Sequence, residues 1–319
     1  MSDGVGLNAS LPTAMLTALT YRRVDRLETL IPELLEQARS ASDVAQVRIL
    51  IVDNDPAGSA RPVVEAFVAD GSILYENETT PGIAVARNRA LDVAKDSDYL
   101  VFIDDDEVPS PGWLPSLITT QVTYGGAGAF GPVIARYAVE PDPFITAGQF
   151  FVRPRWDTGA KRYVGYSSNV LINMSRVLER GLRFDESLGM RGGEDTLFTT
   201  ELARVGEPFR WDDNAVVFDL VPTERMTRKW VLQRRFGFGT VRSLVALSQE
   251  PTAARRVRRR CILVAQGGVR MVAGSARFTA GRVSGSIVNE ALGLRTFSQG
   301  RGLLAGAFGR SHAEYEREG

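Results

Sequence analysis

The sequence predicts an α/β fold in which helices flank a largely parallel sheet and a basic, mostly helical region follows. Three observations lead to this expectation. Short runs of strand-forming residues alternate with amphipathic helical patterns along the first part of the chain, as in parallel sheets with crossover helices. Several runs are apolar throughout, which is typical of strands covered on both faces. Residues 225–319 hold 18 Lys and Arg but only 5 Asp and Glu.

The predicted elements follow from these patterns in chain order. Apolar, β-branched runs predict strands at residues 14–21, 47–52, 72–75, 99–103, 168–174 and 215–218. Helical spacing of apolar residues predicts helices around residues 27–35, 61–69, 83–94 and 196–205. Ser110 as N-cap and Pro111 at the first helical position predict another helix start. Residues 125–138 suggest a Gly-rich turn into a strand, and residues 142–166 an irregular segment, either a lid or acceptor surface or a packed cluster.

Three consecutive carboxylates, Asp104, Asp105 and Asp106, directly follow the apolar strand at residues 99–103. In open α/β sheets, ligands bind at the carboxyl ends of the strands. Clusters of oxygen ligands suit Mg²⁺ or Mn²⁺. The alternative is a solvated acidic turn, which is the second choice because the strand places these acids at a functional edge.

The composition excludes several kinds of site. The chain has one cysteine, Cys261, and one histidine, His312, so an internal disulfide, a cysteine zinc cluster and a Ser-His-Asp triad are not expected. Catalysis must therefore depend on carboxylates. Glycine-rich dinucleotide and P-loop signatures are absent. We expect neither a signal peptide nor a membrane-spanning stretch.

Four ordered segments resemble family 2 inverting glycosyltransferases with a GT-A fold, a Rossmann-like mixed sheet flanked by helices. They are TYRR at 20–23, FIDDDEVPSPGWL at 102–114, GGED at 192–195 and AVVFDLVPTERMTRKWVLQRRFGFG at 215–239. The resemblance covers roughly residues 14–240 and is to enzymes of the bacterial surface or exopolysaccharide type. It implies transfer of a sugar from a nucleotide diphosphate donor, with inversion, to a hydroxyl of a lipid-linked or polysaccharide acceptor.

The resemblance also implies roles for individual residues in nucleotide and metal binding. Nucleotide contacts are expected from Thr20, Arg23, Asp53, Arg87, Asp104 and Asp105. For Arg87, a structural ion pair is an equally good interpretation. Mn²⁺ or Mg²⁺ is expected on Asp106 and Asp104. Asp219 stands near a position where the family often has a metal-site histidine, so either Asp219 replaces that ligand or the metal is held more weakly.

The matched GGED segment implies the general base that takes the proton from the acceptor hydroxyl. Asp195 is the first candidate and Glu194 its competitor, although acids at a helix start are also favoured by the helix dipole alone. Contacts to the donor or acceptor sugar are expected from Gly192, Gly193, Trp113 and Arg225.

The expected organisation is a GT-A catalytic domain at 1–224, with a nucleotide-binding half at about 14–106 and an acceptor half at about 107–224. The basic region 225–319 either binds an anionic membrane surface or packs on the acidic core, and no nucleic-acid partner is expected. We therefore expect a cytoplasmic protein that is peripheral on the inner face of the cell membrane. A UDP-sugar is the favoured donor, with GDP- or TDP-sugars as alternatives. The rival functions are a sugar-nucleotide nucleotidyltransferase and a non-catalytic carbohydrate-binding protein.

Overall fold

The computed structural model describes residues 10–67, 71–188, 192–204 and 207–310. His312 and the predicted helix ends at residues 69 and 205 lie outside this part. The strands are β1 (Thr13–Thr20), β2 (Gln46–Asp53), β3 (Ile73–Asn77), β4 (Tyr99–Asp104), β5 (Glu107–Pro109), β6 (Gly128–Phe130), β7 (Val133–Tyr137), β8 (Lys161–Arg162), β9 (Asn169–Asn173), β10 (Phe209–Trp211) and β11 (Val217–Val221).

The helices alternate with the strands in the first part of the chain and stand alone at its end. They are α1 (Val24–Ser40), α2 (Arg61–Phe67), α3 (Ile83–Val93), α4 (Trp113–Tyr124), α5 (Pro143–Ala147), α6 (Met174–Arg180), α7 (Glu194–Arg204), α8 (Arg228–Ser248), α9 (Ala253–Ser284) and α10 (Ile287–Ala307).

The main sheet is mixed and has eight strands in the order β3-β2-β1-β4-β9-β6-β10-β8. The first four are parallel, and β9 then runs antiparallel to both β4 and β6. Leu16, Val101 and Leu171 of the central strands are fully buried, as the apolar runs predict. The parallel pairing of β1 with β2 and β4 places the carboxyl ends of these three strands along one edge of the sheet.

A small second sheet, β5-β11-β7, stands beside this edge and was not predicted as a separate sheet. It changes the start of α4, because the Ser110 N–H bonds the Val216 carbonyl instead of remaining at a helix end. Helix α4 therefore begins at Trp113, after Gly112 in the left-handed region (φ 74°). The predicted N-cap at Ser110 is wrong, and residues 107–110 instead bring β11 to the acidic turn.

The C-terminal region forms three helices in tight contact. At the crossing of α8 and α10, a Cβ atom on Gly302 would lie 2.0 Å from the Phe236 carbonyl oxygen, so only glycine allows this approach. Phe144 of α5, Val231 of α8 and Ala291 of α10 share one buried cluster. Core packing by the basic region is thus observed, whereas the domain boundary at residue 224 stays a prediction.

Across the described residues, none of the helices is both long enough and apolar enough to pass through a membrane.

Candidate active site

The three consecutive acids lie where β4 leaves the main sheet, beside the end of β1. Asp104 is the last residue of β4 and stands in register with Leu19 of β1. The Thr20 hydroxyl donates a hydrogen bond of 3.0 Å to Asp105 Oδ2. Because β1 and β4 are parallel neighbours, Thr20 and the acids share the edge at which α/β sheets bind ligands.

Two arginines that are far apart in sequence meet at these acids. Arg23 Nη1 donates to Asp105 Oδ1 at 2.6 Å and lies 3.5 Å from Asp106 Oδ2. Arg225 Nη1 lies 3.4 Å from the same Asp106 oxygen. The side chains of Arg23 and Arg225 are 46% and 28% exposed, so both guanidinium groups remain accessible to an anionic ligand.

The small sheet adds two more acids behind the edge. Buried Glu107 of β5 stands in register with Asp219 of β11 and accepts the Asp104 N–H at 3.3 Å. Burial, together with the charge of Asp106, raises the pKa of Asp104 to about 7. Burial and the charge of Asp104 also raise the pKa of Glu107 well above its usual value. Burial and the neighbouring acids thus disfavour the charged forms of both carboxyl groups, which a bound cation would favour.

The chemistry of these acids fits a divalent cation. Asp104 and Asp106 offer carboxylate oxygens, the ligands that Mg²⁺ and Mn²⁺ prefer. Within the residues that the structure describes, no three His, Cys, Asp or Glu side chains form a ready metal cluster. One or two carboxylates together with substrate phosphates are, however, a common way to hold such an ion. Asp219 lies 3.6 Å from Arg153 Nη2, and its role as a metal ligand stays a prediction.

The GGED segment forms the entry to helix α7. Gly192 and Gly193 have φ angles of 74° and 97°, which favour glycine. A Cβ atom on Gly193 would also lie 2.7 Å from the Val241 side chain of α8. The helix begins at Glu194, two residues earlier than predicted. Glu194 and Asp195 therefore occupy the first turn, where the helix dipole favours acidic side chains.

The two acids of α7 have different surroundings. Glu194 is hydrogen-bonded to Arg87 of α3, and the two side chains are only 2% and 5% exposed. The ion-pair interpretation of Arg87 is therefore confirmed. Asp195 is half-buried, and its Oδ2 accepts the Ser167 N–H at 3.4 Å. Since Glu194 is already paired, Asp195 is the acid of this segment that remains accessible to a hydroxyl group.

Two predicted site residues do not face the open edge. Asp53 is completely buried and accepts the N–H of Asp55 at 2.9 Å, the N–H of Ala60 at 2.8 Å and the Tyr75 hydroxyl at 3.0 Å. Its carboxylate thus holds the loop after β2 in place. Trp113 is also completely buried, and its indole N–H bonds a distant side chain of β9. Its ring belongs to the core, not to a sugar-binding surface.

Sequence reasoning did not single out Arg153, which the structure places beside this edge. Arg153 pairs with Asp219 and donates to the Ser168 hydroxyl at 3.2 Å. Its charge also opposes the raised pKa values of Asp104 and Glu107. Arg153 lies in an irregular segment without periodicity, so only its tertiary contacts reveal its position.

The strand-end acids and the GGED segment occur in a chain that matches a known protein family. A family model described as Glycosyl transferase family 2 matches residues 19–182, just over half of the chain. The chain belongs to glycosyl transferase family 2. This glycosyltransferase is 36% identical over 228 residues to the Succinoglycan biosynthesis protein ExoM of Rhizobium meliloti (strain 1021). The match covers 69% of this chain and 71% of that protein.

Solved structures support the fold of this family 2 glycosyltransferase. The mannosyltransferase PcManGT from Pyrobaculum calidifontis, in complex with GDP-Man and Mn²⁺, superposes with a TM-score of 0.57 at 14% identity, covering 91% of this chain and 86% of that one. S. aureus TarS 1–349 superposes with a TM-score of 0.51 at 13% identity, covering 90% of this chain and 92% of that one. At such low identity the likeness shows the fold alone, and it confirms the predicted GT-A-like fold with its mixed sheet.

Proposed function

We propose that this glycosyltransferase is an inverting, divalent-metal-dependent enzyme. It moves a sugar from a nucleotide diphosphate donor to a hydroxyl group of a lipid-linked or polysaccharide acceptor. The observation that carries the proposal is the position of half-buried Asp195 on α7 relative to the acids after β4. Arg87 joins the two groups, since it is bonded to Glu194 and its charge opposes the raised pKa of Asp104.

In this proposal, Asp195 takes the proton from the acceptor hydroxyl as that oxygen attacks the sugar. A carboxylate can do this when it lies within hydrogen-bond reach of the hydroxyl. The Ser167 N–H orients the Asp195 carboxylate. Glu194 is not available for the same task because Arg87 holds it in a buried ion pair. Attack from the face opposite the departing nucleotide inverts the configuration of the sugar carbon.

The departing nucleotide diphosphate carries negative charge that must be neutralised. Asp106 and Asp104 would hold Mn²⁺ or Mg²⁺, which would stabilise the developing charge on the phosphate oxygens. Arg23 and Arg225 add two cations at the same edge. Thr20 and Asp105 fix the Arg23 side of this edge through their hydrogen bonds.

A polysaccharide acceptor is supported by the relative whose name refers to succinoglycan biosynthesis. A UDP-sugar is the favoured donor, and GDP- or TDP-sugars are the alternatives. Membership of family 2 weighs against a nucleotidyltransferase. A non-catalytic carbohydrate-binding protein would have no reason to keep both Asp195 and the acids after β4.

The proposal is tested by the melting temperature of the protein with UDP, GDP, TDP and CDP, each with Mn²⁺ or with a chelator. A ligand at 100 times its Kd stabilises the folded state by about 2.7 kcal/mol, which raises the melting temperature by several degrees. We expect such a shift for one nucleotide, and only with the metal. No shift with any nucleotide would contradict the proposal and favour the non-catalytic alternative.

We also propose that the enzyme binds the inner face of the cell membrane through the outer side of α9. Val269, Val272 and Val283 on this side are 69%, 71% and 84% exposed. Helical geometry places them on one face with Cys261 and Ala265, and this face carries no charge after Arg258. Five arginines between residues 255 and 260 begin the same helix. An apolar face with flanking cations is what an interfacial helix on anionic lipid requires.

This surface is tested by flotation with liposomes. We expect the protein to bind vesicles containing phosphatidylserine at low salt and to bind neutral vesicles weakly. The double variant V269D/V272D should lose most of this binding because it puts charge in the apolar face. The matched control A273D/S284D adds the same charge on the polar side of the helix, which carries Arg270 and Arg277, and should retain more. Equal binding by both variants, or none by the unmodified protein, would rule the surface out.

A further inference from the structure

A group of three arginines lies beside the catalytic edge, and one of them, Arg153, is paired with Asp219. We call it the arginine–aromatic surface and define it as Arg153, Arg235 and Arg295 with the rings of Tyr166, Phe151 and Trp230. It is formed by residues 148–166, α8 and α10. Phe151 stacks on Trp230 with centroids 5.9 Å apart, and the Arg153 guanidinium carbon lies 5.9 Å from the Tyr166 centroid.

Carbonyl oxygens hold two of these arginines in place. Arg235 donates to the carbonyls of Gln149 and Phe150, and Arg295 donates to those of Gly148 and Gln149. In the described part of the chain, neither arginine forms an ion pair. The carbonyl groups of residues 148–150 therefore hold both guanidinium groups in place but do not neutralise their positive charge.

The electrostatics of Arg235 reflect this excess of positive charge. Burial, together with the charges of Arg295, Arg234 and Arg153, lowers the pKa of Arg235 to about 10. Such a group of cations is unfavourable in an isolated protein. A bound anion would relieve the repulsion, as it does at other arginine-lined anion sites.

The surface also has room for a ligand and lies next to the proposed base. A groove of about 210 Å³ is lined by Tyr137, Phe151 and Arg153, among others. Arg153 donates to the Ser168 hydroxyl, and the neighbouring Ser167 donates its N–H to Asp195. A molecule that presents a hydroxyl to Asp195 would therefore bring its adjoining groups to Arg153, at the near end of this surface.

We propose that the arginine–aromatic surface binds an anionic group of the acceptor while the acceptor's hydroxyl faces Asp195. The anion is either the diphosphate that joins a sugar to a lipid or the carboxylate of an acidic sugar. Aromatic rings stack on sugar faces, and guanidinium groups form paired hydrogen bonds with phosphate and carboxylate. The inference rests on the proposed function because it assigns the acceptor side of the same site.

The test is calorimetric titration of two probe pairs into protein saturated with Mn²⁺ and the nucleotide found in the melting experiment. Saturation blocks the donor phosphate site. One pair is geranyl diphosphate and uncharged geraniol, and the other is a glucuronic acid-containing disaccharide and neutral cellobiose. We expect the anionic member of one pair to bind at least about tenfold more tightly. The pair that shows the difference identifies the source of the anion.

Variants link this binding to the named arginines. Arg235→Gln and Arg295→Gln should each weaken the anionic probe by about 10- to 100-fold and leave nucleotide binding unchanged. Arg301 lies on another side of α10, so the Arg301→Gln variant should bind the anionic probe like the unmodified protein. Arg235→Lys keeps the charge if the glutamine variant does not fold, and should retain part of the affinity.

Two outcomes would overturn the inference: anionic probes that bind no better than neutral ones, or probe binding that is unchanged in the Arg235 and Arg295 variants. Failure of nucleotide binding would instead count against the proposed function. The probe titrations can then be repeated without nucleotide, so the two failures remain distinguishable.

Discussion

Asp195→Asn should lower kcat for sugar transfer by about 10²- to 10⁴-fold, the usual contribution of a general base. The substitution keeps the shape of the side chain and its ability to accept the Ser167 N–H. It removes only the capacity to take a proton. The melting temperature and the nucleotide-induced shift should therefore stay as they are. The measurement is nucleotide release from the donor sugar in the presence of acceptor, together with KM for the donor.

Asp185→Asn provides a matched control for Asp195→Asn. Asp185 is an exposed acid in the segment that leads to α7 and caps its own turn through the Ser187 N–H at 2.9 Å. Its replacement should leave kcat nearly unchanged. If Asp195→Asn kept more than half of the activity, Asp195 would not be the base.

Glu194→Ala should lower the free energy of unfolding by about 3–5 kcal/mol, because it leaves the Arg87 charge buried without its carboxylate. Both side chains are at most 5% exposed, so water cannot compensate for the loss. The double variant Arg87→Met/Glu194→Met removes both charges and should recover most of the stability. Urea unfolding followed by circular dichroism measures both changes.

The exposed pair Arg89–Glu76 is the natural comparison for the buried pair. Arg89 lies two residues after Arg87 on α3, and its side chain is 42% exposed, as against 29% for Glu76. Exposed pairs of this kind contribute about 0–1 kcal/mol, so Glu76→Ala should cost little. Similar losses in Glu76→Ala and Glu194→Ala would show that Arg87–Glu194 is not a structural ion pair of the kind described.

The parts of the site that could be predicted from the sequence lie close together along the chain. The acids at 104–106 follow an apolar strand directly, so local pattern and the rule for parallel sheets place them at the ligand-binding edge. The two glycines before Glu194 likewise predict a turn that leads into a helix. In both cases the side chain and the element that positions it are adjacent in sequence.

Tertiary contacts determine the positions of the residues that the local sequence pattern misplaced. Asp53 follows a buried strand as Asp104 does, yet the Ala60 N–H and the Tyr75 hydroxyl bond its carboxylate within the loop. Trp113 packs in the main hydrophobic core, and Asn169, on a strand more than fifty residues later, accepts its indole N–H. No periodicity in the sequence carries such pairings, since each depends on how distant elements meet.

The central claim is that the acids after β4 bind a nucleotide diphosphate together with a divalent metal. The most direct measurement is calorimetric titration of the nucleotide from the melting experiment into the unmodified protein and into Asp106→Asn, with and without Mn²⁺. We expect Mn²⁺ to strengthen binding to the unmodified protein, and Asp106→Asn to weaken the metal-dependent binding by about 10- to 100-fold or more. Binding that is equally tight without Mn²⁺, or unchanged in Asp106→Asn, would contradict the claim.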